Sequence, residues 1–122
     1  MLLRCYTGLD AFRRGRGSRD LFTTLGRQLL IAEELCRLEH HADEIVDIQE
    51  AHAALIHIDA AEKEGGVWVI GDADYARLCA AFDMFGRQLS AASLDVIAKA
   101  EARMVEGMLN AEPRFDAVEV SK

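Results

Sequence analysis

Apolar residues recur at helical spacing along most of this chain. The pattern breaks at one place, Gly65-Gly66-Val67-Trp68-Val69-Ile70-Gly71-Asp72-Ala73-Asp74. That break constrains the fold more than any other feature. Glycine takes the left-handed conformation that closes a helix without steric cost, so Gly65 and Gly66 are expected to end one helix. Val67 to Ile70 is too short for an independent strand and is expected to lie extended across a bundle. Asp72 is then expected to cap the next helix. Asp74 falls in its first turn, where the helix dipole favours negative charge. Trp68 is the only tryptophan and reads as a core plug that closes one end of the bundle. A ligand-stacking role is the competing reading.

Four helices are predicted around this corner. The first runs from a Ser18 cap to about Leu38, where Phe22, Leu25, Leu29, Ala32 and Cys36 recur in steps of three and four. Gly26 lies within it at a cost of about 1 kcal/mol relative to alanine, and close approach of another helix would account for it. The second covers about His41 to Lys63. Its first half is acidic outside, with Ile45, Val46 and Ile48 inward. Its second half, Ala51 to Ala61, is apolar nearly all round. Such a helix is buried on several sides, one of which can be a subunit interface. The third runs from Ala73 to about Ser90 on a stripe of Tyr75, Leu78, Phe82, Phe85 and Leu89. The fourth starts from a Ser93 cap and carries Leu94, Ile97, Met104 and Met108 to about Leu109. Pro113 is expected to have stopped it. An extended tail would follow, with Phe115 packed on the body.

Ahead of the bundle, Thr7-Gly8-Leu9-Asp10 has capping-box-like spacing. A short helical turn is expected there, fastened by Leu9 and Phe12, with Gly15-Arg16-Gly17 as a flexible link. The expected fold is therefore all-α: a four-helix bundle of two antiparallel hairpins joined by the extended Trp68 connection. It divides into a basic N-terminal arm (1–17), the bundle (18–110) and a C-terminal tail (111–122).

Charge narrows the function. The net charge is −7, but residues 1–19 set Arg4, Arg13, Arg14, Arg16 and Arg19 against Asp10 alone. That start carries +4, so the remainder carries −11. No Lys or Arg lies between Arg37 and Lys63, where Glu39, Asp43, Glu44, Asp47, Glu50, Asp59 and Glu62 all fall. A nucleic-acid-binding body is disfavoured, because phosphate contacts need clustered Lys and Arg. The arginines can touch phosphate or dock on the acidic second helix of the same or a neighbouring subunit. No apolar stretch reaches the roughly 18 residues that span a membrane, and the start lacks the apolar core of a secretory signal. The three cysteines, Cys5, Cys36 and Cys79, have no metal-like spacing and read as free thiols in a reducing cytoplasm.

Candidate chemistry is sparse. Glu33, Cys36, Glu39, His40, His41, Asp43 and Glu44 gather at the first helix–helix turn. His40 and Glu44 can share a helix face, but a di-metal bundle site needs Glu-x-x-His, which is absent from the sequence. A solvated junction is expected instead. His52 and His57 point to different faces of the second helix. His52 and Asp59 share a face but lie about two turns apart, roughly 10 Å. Buried, hydrogen-bonded rings are expected, with His57 able to make a subunit interface pH-sensitive. No nucleophile elbow, phosphate loop or dinucleotide fingerprint is present. Asp72-Ala73-Asp74 lacks the glycine and closing glutamate of a calcium loop. No metal or cofactor is expected. Gly26-Arg27-Gln28-Leu29 recurs as Gly86-Arg87-Gln88-Leu89. Its Arg and Gln residues read as a solvated face, or as a symmetric recognition patch if the echo is a true repeat.

The pattern Trp68…Gly71-Asp72-Ala73-Asp74-Tyr75, then Gln88-Leu89…Ala92-Ser93…Ile97, resembles small all-helical proteins of unknown function from proteobacterial chromosomes and mobile elements. The resemblance covers about residues 20–110 and implies a helical bundle without a known activity. The function expected is non-enzymatic: a small cytoplasmic module that binds protein and self-associates, most simply as a dimer. Arg13, Arg14, Arg16, Arg19, Glu44, Asp47, His57 and Trp68 are the candidate contact residues. One alternative is an acidic inhibitor that mimics nucleic-acid charge and binds a basic nucleic-acid-handling protein. Another is a ligand-binding or enzymatic bundle built on His52 or His57.

Overall fold

A computed structural model describes residues 2–39 and 42–120, with side chains placed for 5–39 and 43–109. Among these residues the fold is all-helical. The helices are α1 (Leu2–Arg13), α2 (Arg19–Leu38), α3 (Ala42–Gly65), α4 (Asp72–Ala91) and α5 (Leu94–Val120). His40 and His41 lie outside the described residues, so the histidine–acid junction is described only from its flanks.

Local chemistry sets most of the helix ends. Ser18 caps α2 by accepting the Leu21 N–H at 3.2 Å. Ser93 caps α5 by accepting the Val96 N–H at 3.3 Å. Gly66, at φ +71°, closes α3 and donates its N–H to the Glu62 carbonyl. Gly15, at φ +75°, closes α1 in the same conformation.

Four details depart from the sequence reading. The N-cap of α4 is Gly71, without a side-chain cap bond, and Asp72 is the first helical residue. Asp74 falls in the first turn as expected, and there it also meets His57 and Arg77. The N-terminal segment is a twelve-residue helix, so Thr7 lies inside it and not at its start. Gly26 has nothing within 4 Å of the Cβ position, so it permits no close helix contact. Instead it borders an open groove. Finally, α5 continues through Pro113 to Val120, where an extended tail was expected. The fixed φ of proline is compatible with a helix, although the residue forfeits one backbone bond and its ring crowds the carbonyl four residues back. The expected packing of Phe115 falls outside the described side chains.

Consecutive helices α2 and α3, and α3 and α4, are antiparallel neighbours. Arg19 at the start of α2 meets Asp59 and Glu62 near the end of α3. Glu44 at the start of α3 meets Gln88 near the end of α4. The second expected hairpin does not form in that way. Among the described residues α5 packs along α2 rather than α4, and α1 packs on α4 and α2. One core results, with Leu9, Phe12, Leu29, Ile48, Ile58, Phe82 and Phe85 all within 1% of complete burial. No helix among the described residues is long and apolar enough to cross a membrane.

Two glycines behave oppositely. A Cβ on Gly17 would sit 2.4 Å from the Phe12 ring and 2.8 Å from the Trp68 Cβ. Gly17→Ala is expected to cost about 1–3 kcal/mol through overpacking. Gly26→Ala meets open space mid-helix and is expected to stabilise by about 1 kcal/mol. Urea unfolding followed by the fluorescence of Trp68 measures both, with an unchanged m-value confirming that only stability has moved.

Candidate functional site

The Ser18 cap fixes where α2 begins and so places Arg19 on its first turn. There the guanidinium lies 4.7 Å from the Trp68 ring centre and 5.2 Å from that of Phe22. The same group pairs with Asp59 at 3.1 Å and Glu62 at 3.5 Å. Trp68 stands edge-on to Phe12 at 5.8 Å and tilted against Phe22 at 5.5 Å. Lys63 is 3.1 Å from Asp59. Together with Arg19 it holds the Asp59 carboxyl below its ordinary range. The corner is thus a closed clasp of aromatic, cationic and acidic groups.

The other candidate arginines are spent differently. Arg13 lies over the Tyr75 ring at 4.5 Å. Arg14 pairs with Asp10 one turn back at 3.0 Å. Arg16 is exposed in the link between α1 and α2. Of the candidate acids, Asp47 is exposed on α3, whereas Glu44 is half-buried. His57 is also exposed, and its Nδ1 lies 3.3 Å from both Asp74 carboxylate oxygens. Arg77 donates to the same carboxylate at 2.9 Å. The structure therefore does not gather the candidate residues into one patch. It places Arg19 with Trp68, Glu44 beneath the far end of α4, and His57 on the α3–α4 seam.

One polar group escaped the sequence reading. Gln88 was expected on a solvated face, but it is only 9% exposed. Its Nε2 donates to Cys36 Sγ at 2.9 Å and to Glu44 Oε2 at 3.1 Å. Its Oε1 is buried without a protein partner. Burial and the nearby carboxylates push the Cys36 thiol up, against the hydrogen bond from Gln88. The available signal was position: Gln88 lies one turn beyond Met84 and Phe85, which are both buried.

His52 faces a groove of about 420 Å³ between α2, α3 and the later part of α5, bordered also by Phe22, Arg27, Leu55, Ile56 and Met108. Its Nε2 is buried without a partner. His52 and His57 thus address different neighbours, the groove and α4. Among the described residues no group of three or more His, Cys, Asp or Glu is placed to hold a metal ion.

The outer side of α5 carries three large apolar side chains into solvent, among them Leu94, which the sequence pattern placed on the inward stripe with Ile97, Met104 and Met108. Leu94 is 85% exposed, Leu109 61% and Val105 48%. Ala98 and Ala102 lie exposed between them. Comparison with known protein families, curated proteins and solved structures finds no match for this chain.

Burial lowers the His52 pKa below its ordinary value of 6.5, with Glu33 opposing. The folded chain therefore binds fewer protons here than the unfolded chain. The neutral ring's contribution is complete above pH 6.5 and is lost as pH falls from there through the lower folded value. His52→Gln is expected to flatten the fall in unfolding free energy between about pH 7 and pH 5. Urea titrations of both proteins across that range measure it. Identical slopes would remove His52 as the cause.

Proposed function

We propose that this chain is a small helical interaction module, which works by binding protein, a second copy of itself included, and does not turn over a substrate. The observation that carries this reading is α5. Its inner side packs on the core through Ala100, Val96, Ile97 and Met104. Its outer side carries Leu94, Val105 and Leu109 into solvent. A helix apolar on two sides has use for two partners, and among the described residues its extensive packing is on one, α2. The free thiols of Cys36 and Cys79 suit a reducing compartment such as the cytoplasm.

This reading moves the contact surface from where the sequence put it. On α3, Ala51, Ala54, Leu55 and Ile58 are consumed by internal packing, and Ile56 is left exposed, as is Val46, which was expected inward beside Ile45 and Ile48. Arg13, Arg14 and Arg19 find partners within the chain. Neither surface is as open to a second molecule as α5.

Light scattering at low and high salt tests the proposal. A dimer that survives high salt is expected, because an apolar contact is not screened. A monomer at every accessible concentration would overturn self-association. A complex that forms only at low salt would transfer the contact to charged surface, where Asp43, Asp47 and Glu50 are exposed on α3.

A further inference from the structure

We infer that the partner of α5 is the α5 of a second copy, packed antiparallel about a two-fold axis between Arg103 and Met104. The inference rests on the self-association reading and gives it a geometry. A shallow hollow on α5 is lined by Ala98, Glu101, Ala102, Val105, Glu106 and Leu109. Read as heptads, Ala98 and Val105 share one seam position and Ala102 and Leu109 the other. Lys99 and Glu106 then flank the seam on one side, with Glu101 and Met108 on the other.

Size and charge select one register of this face against its copy. With the two-fold between Arg103 and Met104, Ala98 lies opposite the second copy's Leu109. Ala102 lies opposite the second copy's Val105. Each small side chain meets a larger one, which lets the helices approach closely while the seam stays filled. In an antiparallel pair each flank meets the same flank of its copy. Lys99 therefore lies beside the second copy's Glu106, twice by symmetry, and Glu101 lies beside the uncharged Met108. Slipping one heptad, so that Ala98 opposes Ala102, sets small against small and Lys99 against its own copy. Charge complementarity thus favours a second copy in one alignment, and like charges oppose the alternative.

The test is charge reversal and swap in the full chain, followed by sedimentation equilibrium. Lys99→Glu brings two acidic pairs together across the seam and is expected to weaken the dimer about tenfold or more. Adding Glu106→Lys restores opposite charges and is expected to return the native affinity. Both side chains are exposed, so circular dichroism is expected to show an unchanged fold in each variant. Leu109→Asp, a charge placed in the seam itself, is expected to leave a folded monomer. A native dimer indifferent to Lys99→Glu, or one that the swap does not restore, would overturn this geometry and leave self-association standing through another face. A native monomer would overturn both.

Discussion

Arg19 on Trp68 is the contact that holds the rest of the chain in place. Two stretches that are remote in sequence meet at it: the end of α1 and the start of α2, through Phe12, Arg19 and Phe22, and the end of α3 with the α3–α4 connection, through Asp59, Glu62 and Trp68 itself. No single term there is large. A cation over an aromatic face contributes about 0.5–2 kcal/mol, depending on desolvation. Ion pairs that water can reach contribute about 1 kcal/mol or less. The consequence is geometric. The guanidinium is paired with carboxylates at its edges and lies over an aromatic ring, which relates α2 to α3 and the connection to both. Gly17 is the condition for this arrangement, since a Cβ there would overlap Phe12 and Trp68.

What the sequence made legible, it made legible locally. Ser18 and Ser93 announce helix starts because a hydroxyl can satisfy an orphan N–H within three residues. Gly66 announces an end because its φ is positive. The stripe of Leu25, Leu29, Ala32 and Cys36 is buried as its spacing requires. The misreadings share a different cause: each depended on which helix lay nearby. Gly26 was assigned a close neighbour, and it faces a groove. Asp72 was assigned the cap, but helical geometry begins one residue earlier, and the first-turn Asp74 also meets His57 from α3. The choice of α2 over α4 as the support of α5 is a long-range decision that periodicity does not encode. Of the candidate site, the sequence offered the residues but not their pairings. Arg19 lies forty or more positions from Asp59 and Trp68, and the three become one clasp only in the fold.

Gln88 shows why polarity is a poor guide to exposure in a bundle this small. An amide that bridges Cys36 on α2 and Glu44 on α3 keeps its donors satisfied only in one alignment of α4 against those two helices. Net stabilisation from such a bond is about 1 kcal/mol. Losing the partners costs more than making the bond gains, because the amide would then be buried without them. The contact therefore discriminates between registers of α4 more strongly than it stabilises any one of them. It stands near the opposite end of the bundle from the Arg19 clasp, so α4 is aligned at both ends.

The same accounting of neighbours explains why α5 and not α3 carries the open surface. An all-round apolar helix is costly unless every side is covered. α3 lies between α2 and α4, so two of its sides are covered by the chain. α5 has its extensive packing on α2 alone. Its inner residues, centred on fully buried Ala100, are satisfied, and the residues half a turn away are Leu94, Ala98, Val105 and Leu109. A sequence pattern reports how much apolar surface a helix has; the topology decides how much of it the chain itself can cover. Here the difference falls on the last helix, whose outer side retains alternating small and large apolar residues between charges of both signs. That composition is the physical ground on which the proposed partner is placed there.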